Sequence, residues 1–418
     1  MGETGFRKEV LPNGMVVVGE QVDHVRSFGV GVWVKNGVRD ENDANGGISH
    51  FIEHMLFRGT ERRTAPEIAG SLESLGGHLD AFTERECTCY YARAMDEHLE
   101  AALDVISDIV CHSVFDPLQI EREKRVVTEE IMNLEDTPDE LIHDVVASVV
   151  WKGHPLGASI LGSLRTVSGF GREQIKNAFR SAYVPSNIVV SAAGNFDFDG
   201  LVELVGSSFD LPEGAAVERA DDFPAYEPRV EVIEKPLAQQ YLCLCGRGLG
   251  YEDPARYDLR LLNSVLGEGM SSRLFQRVRD QAGLAYSVYS YAESYGKTGL
   301  FCVFMGVSPD KGAACLEMVH EELAGLASRG ITRDELDSAK AQLKGGLMLS
   351  LESMSARMSR IARGEIYYGR NLPLDEIIRR VDSCTVDSVT EVAGRIGLGD
   401  GKLSLVAMGP AAAKDLGA

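Results

Sequence analysis

Phe28, Val30, Val32 and Val34 alternate with other residues along RSFGVGVWVKNG, which predicts a half-buried strand with one apolar face. Upstream, the turn LPNG at 11–14 leads into a second strand-like run, MVVVGEQV. The spacing then becomes helical. A helix is expected across 45–58, and another after Thr64-Ala65-Pro66-Glu67, where Thr and Glu form a capping box with Pro in the first turn. HLDAFTERECTCYYARA reads as two paired strands. Leu99, Leu103, Ile106 and Val110 mark an amphipathic helix, and 117–135 a further one.

The second half of the chain repeats this order. GISHFIEHMLFRGT (47–60) lies over YDLRLLNSVLGEGM (257–270), and GHLDAFT (77–83) over GLAYSVY (283–289). DEHLEAALDVI (96–106) lies over PDKGAACLEMV (309–319) in the same way. Few residues are identical, so the pattern repeats rather than the letters. Strands followed by long helices, twice over, predict an α+β fold of two similar domains, each an antiparallel-rich sheet packed with helices. The stretch 209–228 is rich in Pro, Ala and acids, and lacks apolar periodicity. It places an N-terminal domain at 1–212, an exposed linker at 213–228 and a C-terminal domain at 229–418.

Composition narrows the function classes. The chain has 418 residues, of which 44% are apolar and 25% charged, as in ordinary globular proteins. Acidic residues number 63 against 42 basic ones, a net charge of −21, which disfavours a nucleic-acid partner. No apolar run approaches the roughly 20 residues that cross a bilayer, and the N-terminus lacks the pattern of a signal peptide. A soluble, cytoplasmic protein with no membrane partner is expected. The pairs Cys87/Cys89 and Cys243/Cys245 each place two thiols on one face of a strand, and all eight cysteines are expected to be core residues.

The sharpest chemical signal is GGISHFIEHMLFRG (46–59). His50 and His54 stand four apart in a helical stretch, so both imidazoles leave one face about one turn apart, as two ligands of tetrahedral Zn2+ must. Glu53 beside the second histidine can act on water at such a site without being a ligand. This is the H-x-x-E-H order. A third ligand is sought in 117–135, which offers Glu121, Glu123, Glu129, Glu130 and Glu135. On a helical wheel Val126, Val127 and Leu134 define the expected buried face. Glu130 and Glu123 fall within it, and Glu129 points to solvent. A carboxylate in an apolar stripe costs several kcal/mol unless paired or metal-bound. That favours Glu130 as ligand and Glu123 as an auxiliary acid one layer away. The competing expectation pairs both with Lys124 or Arg125.

Together these residues resemble the pitrilysin/insulinase family of zinc peptidases, and most of all its bacterial members of the mitochondrial-processing-peptidase type. The resemblance spans nearly the whole chain and includes GGHLDAFTERECTCYYA (76–92), EREKRVVTEEI (121–131), WKGHPLG (151–157) and SSRLFQRVRDQAGLAYSV (271–288). It implies one Zn2+ per chain on His50, His54 and Glu130, Glu53 as general base and Glu123 as an assisting acid. It implies that Asp80, Ala81, Phe82 and Thr83 form a strand along which a peptide aligns, with Asp80 where many relatives have Asn. It implies that Arg279 and Tyr286 grip the substrate and the carbonyl gaining negative charge. Without the family, Arg279 reads as a solvated helix residue and Tyr286 as a strand core residue. In the repeat, Arg260, Asn263 and Ser264 lie over the zinc motif and make no metal site. The resemblance further implies a zinc endopeptidase acting on peptides or unfolded segments in the closed chamber of a homodimer. The alternative is a non-catalytic or partner-dependent subunit of a processing-peptidase-like heterodimer. The acid surplus is expected to favour basic peptides.

Overall fold

The structure is a computed structural model and describes residues 5–215, 219–220, 223–399, 401–410 and 416. The chain divides into two compact units. The first takes Met1–Asn133, Ala158–Ala220 and Leu349–Pro373, and the second Leu134–Gly157, Asp221–Met348 and Leu374–Ala418.

The sheet of the first unit contains β1 (Phe6–Val10), β2 (Val16–Gln21), β3 (Ser27–Val34), β4 (His78–Thr83), β5 (Thr88–Met95) and β6 (Ile188–Gly194), in the order β1-β2-β6-β3-β5-β4. The β2–β6 pairing is parallel and the others are antiparallel. Phe28, Val30, Val32 and Val34 enter a core with Phe51, Ile52 and Met55 of the helix Ile48–Leu56 and with Leu103 and Ile106 of the helix Leu99–His112. β3 is not half-buried as its alternation suggests, because every residue after Ser27 is buried. Its other face is covered by the helix Met354–Tyr368, where Met358, Ile361 and Ala362 pack with Val18, Trp33 and Cys89. Each large side chain buried there contributes about 1.5–3 kcal/mol. Gly29 and Gly31 permit the approach: a Cβ at Gly29 would lie 3.2 Å from the Ser355 nitrogen, and one at Gly31 2.9 Å from Met358 Sδ. Glu20 fixes the docking by accepting from Arg357 and Arg360.

The second unit contains β7 (Val230–Glu234), β8 (Gln240–Gly248), β9 (Ala285–Ser294), β10 (Gly299–Val307) and β11 (Ser404–Gly409), in the order β7-β11-β8-β10-β9. With β1 set aside, this is the strand succession of the first sheet, with its single parallel pair at the same place. The repeat seen as pattern is therefore a repeat of topology, and 77–83 and 283–289 both fall on edge strands, β4 and β9. One face of this sheet is covered by the helix Pro138–Val150, whose Ile142, Val146 and Val150 pack with Cys243, Cys245 and Cys302.

A cut at 213–228 separates the two sheets but not the helical stretches 134–157 and 349–373, which belong to the unit whose sheet comes from the other half of the sequence. The reason is burial: each of these helices has an apolar stripe, and each sheet has an outer face that its own half of the chain leaves bare. Within the described linker residues, Arg219 is not exposed; it donates to Asp40 and to the carbonyls of Lys35 and Glu86. All eight cysteines are free thiols; seven are buried and Cys111 is half-buried. Among the described residues no helix is long and apolar enough to cross a membrane.

Candidate metal centre

The helix Ile48–Leu56 begins at a tight backbone crossing. Gly47 has φ 87°, in the left-handed region, and a Cβ there would lie 2.6 Å from the Leu161 carbonyl oxygen. Glu41, almost fully buried, reaches this end of the helix. Its two oxygens accept from the backbone N–H of Gly47 at 2.7 Å and of Ser49 at 2.8 Å, satisfying donors a helix start leaves open. Burial pushes the Glu41 carboxyl up to about 7. The helix then commits Phe51, Ile52, Met55 and Leu56 to the core, so that His50, Glu53 and His54 share the opposite, partly open face.

The third element is the helix Pro117–Glu135. Its buried row is Ile120, Glu123, Val127 and Ile131. Val126, expected inside, is exposed, and Leu134 is half-buried. The buried residues sit between about 0° and 80° on a wheel with Glu123 at zero. Val126 at about 300° therefore faces outward, and Glu130 at about 340° lies at the margin. As a result Glu123 is buried to 1% exposure while Glu130 is half-buried at the opening.

His50 Nε2 and His54 Nε2 approach to 3.2 Å. Glu130 Oε2 lies 3.8 Å from the first and 3.6 Å from the second. A tetrahedral ion with bonds near 2.0–2.1 Å separates its ligands by about 3.3 Å, so the triangle has the size Zn2+ requires. His54 Nδ1 donates to Glu123 Oε1 at 2.8 Å, which leaves Nε2 as a lone-pair donor towards the common point. Glu130 Oε2 is buried without a hydrogen-bond partner, as an oxygen awaiting a cation would be. Burial, reinforced by His54, drives the His50 imidazole down to about 3, so it is neutral at ordinary pH. For His54 burial acts downward, but the Glu123 hydrogen bond and the charges of Glu130, Glu123 and Glu53 raise it. Among the described residues, His50, His54 and Glu130 are the one group of three or more such side chains placed to share an ion. The donor set fits Zn2+.

Three contacts around this centre are missing from the expectations drawn from the sequence. Arg58 grips the Glu123 carboxylate, donating through Nη2 to Oε1 at 2.8 Å and meeting Oε2 through Nε. Burial opposes ionisation of Glu123, but the hydrogen bonds from His54 and Arg58 outweigh it and hold the carboxyl below its usual range. Lys124 pairs instead with Glu121, so the bases expected as partners are not used. The hint for Arg58 was its place four residues after His54, on the same side of the helix end. Glu53 accepts from Thr83 Oγ1, and burial raises its pKa. Glu41 carries no spacing signal at all.

The expected peptide strand is β4, an open edge of the sheet. Ala81 packs against the first core and Phe82 lies edge-on to Trp33 at 5.5 Å. Asp80 accepts from Tyr91 at 3.2 Å, with His78 Nε2 at 3.5 Å. Arg279 and Tyr286 are not among the residues gathered here; they lie in the second unit. Arg279 sits in a wide, π-type turn (Phe275–Gln281) with its guanidinium 5.5 Å over the Tyr286 ring. Tyr286 is 76% exposed, so it is no core residue. At the repeat positions, Arg260, over His50, lies 3.9 Å from Glu268; Asn263, over Glu53, accepts from Ser290, and Ser264, over His54, donates to Gln342.

Residues 16–164 match the family model described as insulinase (peptidase family M16), and 169–343 the model described as peptidase M16 inactive domain. The uncharacterized zinc protease YmxG of Bacillus subtilis is 40% identical over 401 residues, covering 96% of this chain and 98% of that protein. A Streptomyces coelicolor protein named an uncharacterized zinc protease is 37% identical, over 94% of this chain and 88% of its own. In fold, the chain resembles a protease from Helicobacter pylori, with TM-score 0.92 at 22% identity over 97% of this chain and all of that one. It also resembles a chain of complex III2 from Candida albicans, with TM-score 0.84 at 20% identity over 97% and 96% of the two chains. With two family models matched along it and a relative 40% identical over nearly its whole length, the chain belongs to the insulinase (M16) peptidase family.

Proposed function

We propose that this chain is a zinc-dependent endopeptidase that hydrolyses peptides or unfolded segments in the chamber of a homodimer. The observation that carries the reading is the convergence of His50, His54 and Glu130 beside a carboxylate, Glu53, that hydrogen bonds only to Thr83 among the described residues. Zn2+ held by those three residues, one per chain, would supply a Lewis acid that polarises a peptide carbonyl and acidifies water. Glu53 takes the proton from the attacking water and delivers it to the leaving amine. Glu123, anchored by Arg58, keeps His54 in the tautomer that points Nε2 inward. β4 receives the peptide as an added strand, through the backbone of Asp80, Ala81, Phe82 and Thr83, for which its open edge is suited. Asp80 lacks the amide donors of Asn, so its side chain contributes less to that grip.

Arg279 and Tyr286 supply a fixed cation and a neutral donor for the oxyanion. They act from the partner subunit. What supports this is that one chain carries both sets of groups, in separate units. Free thiols throughout suit a reducing compartment, in keeping with a cytoplasmic enzyme. Mixing a Glu53→Gln chain with an Arg279→Ala chain tests the arrangement. Activity regained in the mixture supports action in trans; two inactive parents whose mixture stays inactive reject it.

A further inference from the structure

Thr83 occupies two places at once. It is the last residue of β4, the open edge of the first sheet, and its side chain reaches the motif helix, where Oγ1–H donates to Glu53 Oε2 at 2.5 Å. The direction of that hydrogen bond is fixed by its neighbours. Thr88, the register partner of Thr83 on β5, places its Oγ1 3.4 Å away, but the Thr88 hydroxyl donates to the Asn36 carbonyl at 3.1 Å. An ionised carboxylate only accepts, so the single Thr83 proton goes to Glu53. No partner of Glu53 Oε1 is found among the described residues, so one oxygen is pinned and the other is left for proton transfer. The helix that bears Glu53 is tied at its start to Glu41, which holds the backbone from which the Glu53 side chain projects.

We infer that Thr83 is a positioning residue for the general base, and that it couples the strand that takes the peptide to the carboxylate that acts on it. The inference rests on the proposed function and adds a connection within it. A peptide hydrogen-bonded along β4 stiffens the edge, and through Thr83 Oγ1 that stiffening reaches Glu53. Sequence spacing hides the link, because thirty residues separate the two groups. A purely structural role, in which the hydroxyl only satisfies a half-buried carboxylate, predicts a loss of stability with no selective effect on turnover.

The test compares wild type, Thr83→Val and Thr83→Ser as zinc-loaded full-length chains. It reads zinc content, kcat and KM on an internally quenched peptide, and the visible spectrum after Co2+ substitution. Thr83→Val keeps the shape and loses the donor. It should retain one zinc per chain, lose about 10- to 100-fold in kcat with KM within about twofold, and shift the Co2+ spectrum. Thr83→Ser should recover kcat to within about threefold of wild type. A Thr83→Val chain with wild-type kcat, or one altered in KM alone, overturns the inference. So does a Thr83→Ser chain as impaired as Thr83→Val. A wild type that binds zinc and cleaves nothing rejects the proposed function and this inference together; an active wild type beside an unimpaired Thr83→Val rejects this inference alone.

Discussion

Replacing Glu123 with Gln leaves the shape of the site intact and changes one charge. Glu123 Oε1 accepts from both His54 Nδ1 and Arg58 Nη2, and Oε2 faces Arg58 Nε. A Gln keeps one acceptor for His54 but sets an NH2 against the guanidinium, donor to donor, at a position only 1% exposed. The loss is the negative charge that strengthens the hydrogen bonds to Glu123, about 1.5–3 kcal/mol for a hydrogen bond to a charged group. Outer partners of a ligating histidine govern metal affinity by roughly 10- to 100-fold, or about 1.4–2.7 kcal/mol, and the two ranges agree. Glu123→Gln should therefore weaken zinc binding about 10- to 100-fold, measured by competition with a chromophoric chelator. Glu129→Gln, exposed on the same helix, is the control and should bind within about twofold of wild type. A Glu123→Gln chain with wild-type affinity would refute the claim that this carboxylate orients His54. An equal loss in the Glu129 variant would refute its localisation.

Other consequences follow from the same geometry. Gly47→Ala places a Cβ at a left-handed φ and 2.6 Å from a carbonyl oxygen, which costs more than the ~1–2 kcal/mol of the backbone strain alone. It should lower both the unfolding midpoint and zinc occupancy, whereas Gly46→Ala, whose nearest neighbour is 3.8 Å away, should change neither. Glu335 is held down at about 2, first by its hydrogen bonds from Arg273. A depressed carboxylate contributes stability above its unfolded pKa, near 4.5, and loses it as pH falls through about 2. Arg273→Met should therefore flatten the acid limb of unfolding, modestly because the pair is partly exposed and screened. If the acid surplus selects substrates, basic peptides should be cleaved faster than acidic ones at low salt, and raising the salt should remove the difference; equal rates at low salt would reject it.

What the sequence revealed was what local periodicity encodes. Helical spacing alone puts His50, Glu53 and His54 on one face, and the strand order repeats because the hydrophobic pattern repeats. The wheel of the helix 117–135 set Glu123 and Glu130 apart from Glu129, yet it centred the buried face too near Val126. Three apolar residues mark a stripe but not its width, and the row that is buried includes a charged residue, Glu123. Long-range events left no such trace. Gly29 and Gly31 looked like the polar side of a half-buried strand, when their lack of a side chain admits a helix from more than three hundred residues away. Thr83 looked like a substrate contact only, because its hydrogen bond to Glu53 depends on the packing of β4 against the motif helix.

The central claim is that His50, His54 and Glu130 hold one catalytic zinc on which Glu53 acts as base. Zinc content measured alongside cleavage of an internally quenched peptide, for wild type and Glu53→Gln, tests it most directly. The prediction is one zinc per chain in both proteins, with cleavage in the wild type and a loss of at least about a hundredfold in the variant. Equal cleavage by the two, or a wild type that carries no zinc, would contradict it.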